Sequence, residues 1–389
     1  MALSLATAGD AKACGGCFHP PGESGNVITD HRMIFAISPQ QTTLYDEIEY
    51  QGSPTSFAWV LPIHGPVTVG LSSDALFTAI DQVTQPSILP PQLPACPQPA
   101  NCGSCRTGFG ASNAAPPPQD SVTVIGQMVV GPYDTVQLKS SDPNALTAWL
   151  TTNGYTIPQN VQPVIAEYVN EGFDFLALRL APGQGVQAMR PVSVTTPGAG
   201  LSLPLRMVAV GTGATVGVKL WVVADGRYEP QNFQSFVISP SDLVWDWSMN
   251  DSNYSRLRAQ KEAALSNAAW QIESSLDVAP YQIENLMFGA VNGPSGYTAI
   301  PASDAGPAET PDQARQQDLA TLFPSGQAGV RITRMRADLA RAALATDLTL
   351  TSSSIQTTLS NQYQVTQSIN APACPSPPVC ACGSPGPVG

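Results

Sequence analysis

Four of the eight cysteines fall in two C-x-x-C pairs, Cys14-Gly15-Gly16-Cys17 and Cys102-Gly103-Ser104-Cys105. Four thiolates in two such pairs match a tetrahedral structural zinc site on Cys14, Cys17, Cys102 and Cys105. The same thiols can oxidise, and their number is even. Disulfides are therefore the leading reading for Cys14, Cys17, Cys96, Cys102, Cys105, Cys374, Cys380 and Cys382, with zinc the alternative and no other cofactor expected. Connectivity is not legible. A redox-active C-x-x-C opens a helix that stabilises its thiolate, and the glycine-rich surroundings supply none. A bridge between the two pairs would close a loop of roughly 88 residues, worth roughly 4 kcal/mol on the chain-entropy account. Cys14 to Cys105 contain five cysteines and the tail three. Full pairing thus needs a bond from tail to body; without one, a free cysteine remains in each region.

The three histidines are His19, His31 and His64. His19 and His31 lie near the first C-x-x-C, and Asp30 adjoins His31, so a Cys/His site competes with a loop and a strand-entry residue. His64 sits in Pro62-Ile63-His64-Gly65-Pro66, a rigid turn after an apolar strand, where binding residues tend to be placed. Asp30, Asp46, Glu47 and Glu49 form the densest early acidic group. Glu47 and Glu49 share a strand face, which suits acid–base work or Ca²⁺, although solvated surface acids are the plainer expectation. Trp245-Asp246-Trp247 brings two indoles to one side, near Tyr228 and Phe233. That is a platform for a glycan or peptide, or else packing, the commoner use of indoles. There is no H-E-x-x-H and no nucleophile elbow, and the glycine clusters lack a phosphate-cradle context.

Composition narrows the partners. With 17 Lys plus Arg against 29 Asp plus Glu, the net charge is -12, which disfavours nucleic acid and anionic lipid. The 32 glycines and 37 prolines favour many turns over long helices. No apolar run is long enough for a membrane-spanning helix. Oligomeric state is not readable.

The elements that must position these residues read as a β-rich α+β fold, with antiparallel or mixed sheets, several short helices and a partly helical C-terminal region. Residues 1–13 are a remnant of an export signal or a disordered terminus. Residues 14–86 are β-rich, with strands near Met33–Ile37, Thr42–Tyr50 and Ser56–Pro62 forming a meander, then a helix after Ser72-Ser73-Asp74. Residues 87–119 are a Pro/Cys-rich excursion. Residues 120–250 form an α+β domain, with strands at 122–130, 134–139, 173–180, 202–210, 215–223 and 233–238 and helices at 144–152 and from Pro158 to Gly172. Residues 251–370 are a helical or mixed part packed on the body: a long helix over 255–276, another from Pro311 or Asp312 to Leu322, and a third over 332–346. Residues 371–389 are a Cys/Pro/Gly tail.

Cys14-Gly15-Gly16-Cys17-Phe18 and Phe57-Ala58-Trp59-Val60-Leu61-Pro62 resemble the DUF2330 family of exported bacterial proteins. So do Leu146-Thr147-Ala148-Trp149-Leu150 with Asn153-Gly154-Tyr155, and Ile332-Thr333-Arg334-Met335-Arg336. The resemblance implies secretion, a periplasmic site or the cell surface, and carries no catalytic set. The Cys380-Ala381-Cys382-Gly383 tail resembles the start of a C-terminal sorting signal. The expected function is a disulfide-stabilised structural or interaction protein of the envelope, meeting other envelope or surface proteins. A carbohydrate- or peptide-binding module using Trp245, Trp247 or His64, and a carboxylate- or metal-dependent hydrolase, are the alternatives.

Overall fold

The structure is a computed structural model that describes residues 17–18, 27–51, 58–93, 128–138, 147–148, 152, 162–181, 183–184, 188–209, 214–289, 296–300, 302, 307–324 and 327–372. It is an α+β protein, strand-rich with antiparallel and mixed sheets. The chain clusters into two units. Described residues of the larger lie within Met1–Ser87, Ile125–Ile238 and Ser255–Tyr363; those of the smaller lie within Ile88–Val124, Ser239–Tyr254 and Gln364–Gly389.

A five-stranded sheet orders β1 (Cys17–Phe18), β4 (Ala58–Ile63), β9 (Asp174–Leu180), β8 (Tyr133–Leu138) and β7 (Met128–Val130). An eight-stranded sheet runs β14 (Gln234–Phe236), β17 (Ala269–Val278), β18 (Val330–Ala340), β12 (Thr215–Ala224), β2 (Val27–Ile37), β3 (Gln41–Gln51), β10 (Val192–Pro197) and β5 (Thr68–Leu71). Its pairs are antiparallel except β12 with β2 and β14 with β17, which are parallel. The expected meander is therefore two-thirds right. β2 and β3 form a hairpin across Ser38-Pro39-Gln40, but the third strand, β4, leaves to pair with β9 in the other sheet.

Alternation along the strands builds three apolar layers in the larger unit. Phe35, Leu44, Val194, Val218, Leu220 and Met335 of the eight-stranded sheet meet Trp59, Leu61, Ile63 and Leu178 of the five-stranded sheet. The opposite face of the large sheet, with Ile34, Trp221 and Ile332, is covered by three helices. These are α1 (Asp74–Thr84), α5 (Pro280–Gly289) and α6 (Pro311–Leu322), which contribute Phe77, Ile80, Ile283, Met287, Ala314 and Leu322. Behind the small sheet, Val60, Phe175 and Ala177 pack on Ile165, Tyr168 and Val169 of α2 (Gln162–Asn170). The order is helices, sheet, sheet, helix.

Three smaller sheets complete the strands. β11 (Ser202–Leu203), β19 (Leu348–Ser352) and β13 (Tyr228–Pro230) form one, and β6 (Ser87–Leu89) pairs with β20 (Gln362–Gln364). In the smaller unit, β16 (Asp251–Ser252), β15 (Val244–Asp246) and β21 (Gln367–Ile369) form the third.

Three helix and strand expectations are corrected. The run 255–276 is not one helix: α4 (Tyr254–Ala264) ends and β17 follows. Ser266 and Asn267 adopt φ of 58° and 50°, and the Asn267 amide donates to the Glu262 carbonyl at 2.8 Å, a left-handed helix stop made without glycine. The run 332–346 is the central strand β18 followed by a 3₁₀ turn at Arg341–Ala345. Ile332, Met335 and Leu339 match helical spacing. Between β17 and β12, however, both faces of the segment are buried, and pairing on both edges overrides local preference. In place of a strand over 202–210, the described residues 202–209 hold the short β11 followed by α3 (Leu205–Val208).

Candidate functional site

β4 ends at Pro62-Ile63, and the turn beyond it uses Gly65 at φ +67°, a conformation that leaves His64 projecting and exposed. The His64 ring lies 3.8 Å, centroid to centroid, from Phe173, the residue that enters β9. Phe173 is held in turn edge-on to Tyr168, at 5.0 Å. Arg206 lies over Tyr168 at 4.1 Å and donates to Asp347 and Glu171, while the Tyr168 hydroxyl donates to Asp347 at 2.6 Å. The Arg206 hydrogen bonds hold the Glu171 carboxyl below its usual range, and the nearby His64 adds to the effect. The mouth of the site thus rests on a braced aromatic stack.

Opposite His64, the Gly198–Pro204 loop is pinned by one side chain. Thr42 Oγ1 donates to the Gly198 carbonyl at 2.9 Å and accepts from the Gly200 amide at 2.7 Å. Gly198 is at φ +81°, so the sharp bend requires a residue without Cβ. Between loop and stack lies a cavity of about 330 Å³ whose floor is Phe35, Leu44, Leu61, Ile63 and Val194. Those residues belong to the layer between the two sheets, so the cleft opens directly onto the apolar core. This volume is in the range of small-molecule sites, with an apolar lining and few polar groups. His64 was legible as a turn residue. Thr42, Phe173 and the loop were not, because they are brought together from β3, β9 and β10 across more than a hundred positions; the Pro197-Gly198-Ala199-Gly200 run was the available signal.

The other sequence candidates fall elsewhere. Trp245 and Trp247 lie 6.0 Å apart at 67°, edge to face, with Trp245 only 8% exposed. That is packing geometry, and the pair presents no flat strip. Asp46 and Glu47, expected as solvated acids, are buried at 4% and 7%. Strand alternation can turn only one of two neighbours outward, and here the large sheet is covered on both faces. Glu47 pairs with Arg32 at 2.7 Å, and His31, fully buried, has Nδ1 3.6 Å from Asp46. Asp74 joins them; burial raises its carboxyl, against a hydrogen bond shared with Glu47 and the charges of Arg32 and Arg190. The adjoining cavity is about 40 Å³, room for about two waters and for no organic substrate. Among the described residues no group of three His, Cys, Asp or Glu is placed to hold a metal ion. Of the cysteines only Cys17 lies in the described backbone, paired with Trp59 across β1 and β4. The rest, with His19 and the side chains of Asp30 and Glu49, lie outside the described residues, as do the disulfide and zinc readings built on the cysteines.

Fold and cleft define a strand-rich α+β protein with a ligand-sized opening into its inter-sheet core. The chain belongs to the family described as uncharacterized protein conserved in bacteria (DUF2330), whose model matches residues 8–274. No curated protein matches the chain. Among solved structures it is similar to the crystal structure of baculovirus P35, at 13% identity and a TM-score of 0.29, over 54% of this chain and 68% of that one. So low a score carries no argument about fold or function. No helix among the described residues is long and apolar enough to cross a membrane.

Proposed function

We propose that the protein is an exported, disulfide-stapled binding protein of the bacterial envelope or its surroundings, and that its working site is the His64 cleft. The observation that carries this reading is the cavity of about 330 Å³, apolar below and rimmed by an exposed imidazole. Such a site takes a compact, mainly apolar group and orients it by one hydrogen bond from the rim. The apolar group can be a free molecule or a side chain of another envelope or surface protein. Export and stapling rest on the cysteines and the N-terminal segment; the small acid-lined cavity gives little support to a hydrolase.

The test is titration of the full chain with indole and phenol, followed by ligand-observed NMR. Saturable binding is expected. Ala199→Trp, at an exposed loop position lining the cleft, should abolish it, and His64→Ala should weaken it about fivefold, the worth of one neutral hydrogen bond. Binding that never saturates, or that ignores Ala199→Trp, refutes the reading. Intact-mass measurement before and after reduction and alkylation tests the stapling separately.

A further inference from the structure

The face of the large sheet that carries α1, α5 and α6 is apolar over most of its width, with Ile34, Ala36, Trp221, Val223 and Ile332. At the β3–β10–β5 end the pattern changes. Thr43 and Tyr45 of β3, Ser193 and Thr195 of β10, and Thr68 of β5 line a cavity of about 160 Å³ on that side, where α6 contributes Gln317, Asp318 and Thr321. Five hydroxyls thus stand where a helix-covered sheet normally places aliphatic groups.

Two glycines keep the space open. A Cβ on Gly70 would come within 2.8 Å of Ser193 Oγ, so a side chain there would displace that hydroxyl. Gly131, at φ +56°, has no room for a Cβ beside Leu71. The opposite wall is built with equal care. Asp318, only 3% exposed, accepts from Ser72 at 2.6 Å and from Tyr297 at 2.7 Å, both on Oδ2, and is hydrogen-bonded by Tyr45. Thr43 and Thr195 hydroxyls are 2.9 Å apart and orient each other.

The chemistry of the lining selects among ligands. Among the described residues it contains no lysine or arginine, so an anion would meet Glu309 and Asp318. Asp318 is already engaged by three hydroxyls, from Ser72, Tyr297 and Tyr45, which occupy the carboxylate positions a cation would need. An apolar ligand would strip water from hydroxyls and return nothing. A molecule bearing several hydroxyls both donates and accepts, as the wall does. The volume is comparable to a cavity that accepts one six-membered ring. We propose that this cavity is a second binding site, separate from the His64 cleft, for a small neutral polyhydroxylated molecule of one ring: a monosaccharide or a cyclic polyol.

The experiment is saturation-transfer NMR and calorimetry on the full chain with D-glucose, myo-inositol and glycerol, each at millimolar concentration. Saturable binding of glucose or inositol, with glycerol weaker, is the expected result. If inositol binds and glucose does not, the ligand is the cyclic polyol; the reverse order names the sugar. Thr195→Val, which keeps shape and removes one hydroxyl, should weaken binding about fivefold. Thr68→Leu, at an exposed edge position lining the cavity, should weaken it at least tenfold while the circular dichroism spectrum stays native. Ala199→Trp, which abolishes binding at the His64 cleft, should leave the affinity for glucose and inositol as in the native chain. Failure of all three compounds to saturate the native chain, or equal binding by Thr68→Leu, overturns the proposal. So does saturation by putrescine or inorganic phosphate in their place.

Discussion

Replacing Asp318 by asparagine should flatten the dependence of stability on pH between the ordinary carboxylate range and neutrality. Burial raises the Asp318 carboxyl from 3.8 to about 6, against the pull of hydrogen bonds from Ser72, Tyr297 and Tyr45. Because the folded value lies above the unfolded one, the native state prefers the protonated acid. The contribution of Asp318 is therefore fully present below about pH 4 and is lost as pH rises through about 6. At about 1.4 kcal/mol for each tenfold change in the equilibrium, the rise corresponds to roughly 3 kcal/mol between pH 4 and pH 7. Asparagine is nearly isosteric, keeps an oxygen for Ser72 and Tyr297, and cannot ionise. The assay is urea unfolding of both proteins at several pH values, with the difference in free energy plotted against pH. Glu262, pushed up to about 7 chiefly by burial and then by Asp338, tilts both curves alike and drops out of that difference. The native protein should lose about 3 kcal/mol relative to Asp318→Asn on going from pH 4 to pH 7. Parallel curves, or a native protein that gains on the variant as pH rises, would refute the assignment of a protonated, buried acid.

Two further changes probe the scaffold. Arg334 reaches Glu273 and Asp81 at 2.5 Å each and lies 5.2 Å over Trp221, so Arg334→Met strands the buried Glu273 and should cost about 3–5 kcal/mol in chemical denaturation. Adding Glu273→Gln should recover much of that loss, which a purely steric role would not allow. Gly131→Ala should lower stability by about 1–3 kcal/mol, seen as a reduced melting temperature, because its left-handed φ and the Leu71 side chain both oppose a Cβ.

Local signals placed several elements well. The capping box of Thr310 and Gln313, with Pro311 in the first turn, marks α6, and its Pro311–Leu322 extent is the expected one. Ser73 caps α1 by accepting from the Ala75 amide, as the Ser72-Ser73-Asp74 run predicts. The β2–β3 hairpin follows from the compact apolar run Met33–Ile37 and the partly alternating run Thr42–Tyr50, joined by a short turn. Each depends on neighbours in sequence, so each is legible in sequence. The failures have one cause. β17 and β18 carry apolar residues at spacings that suit a helix or a doubly buried strand equally. Only the flanking strands, distant in the chain, decide between the two.

The residue types themselves determined the acidic, turn-rich α+β character of this chain, its family, and the exposed turn that carries His64. Tertiary structure alone decided that Asp46, Glu47 and Asp318 are interior and that Trp245 packs against Trp247. It alone joined Thr42, Phe173 and the Gly198 loop around one cleft, and gathered five hydroxyls under α6. The physical reason is that burial and cavity shape arise from contacts between strands far apart in sequence. Propensity and periodicity report only on the next few residues.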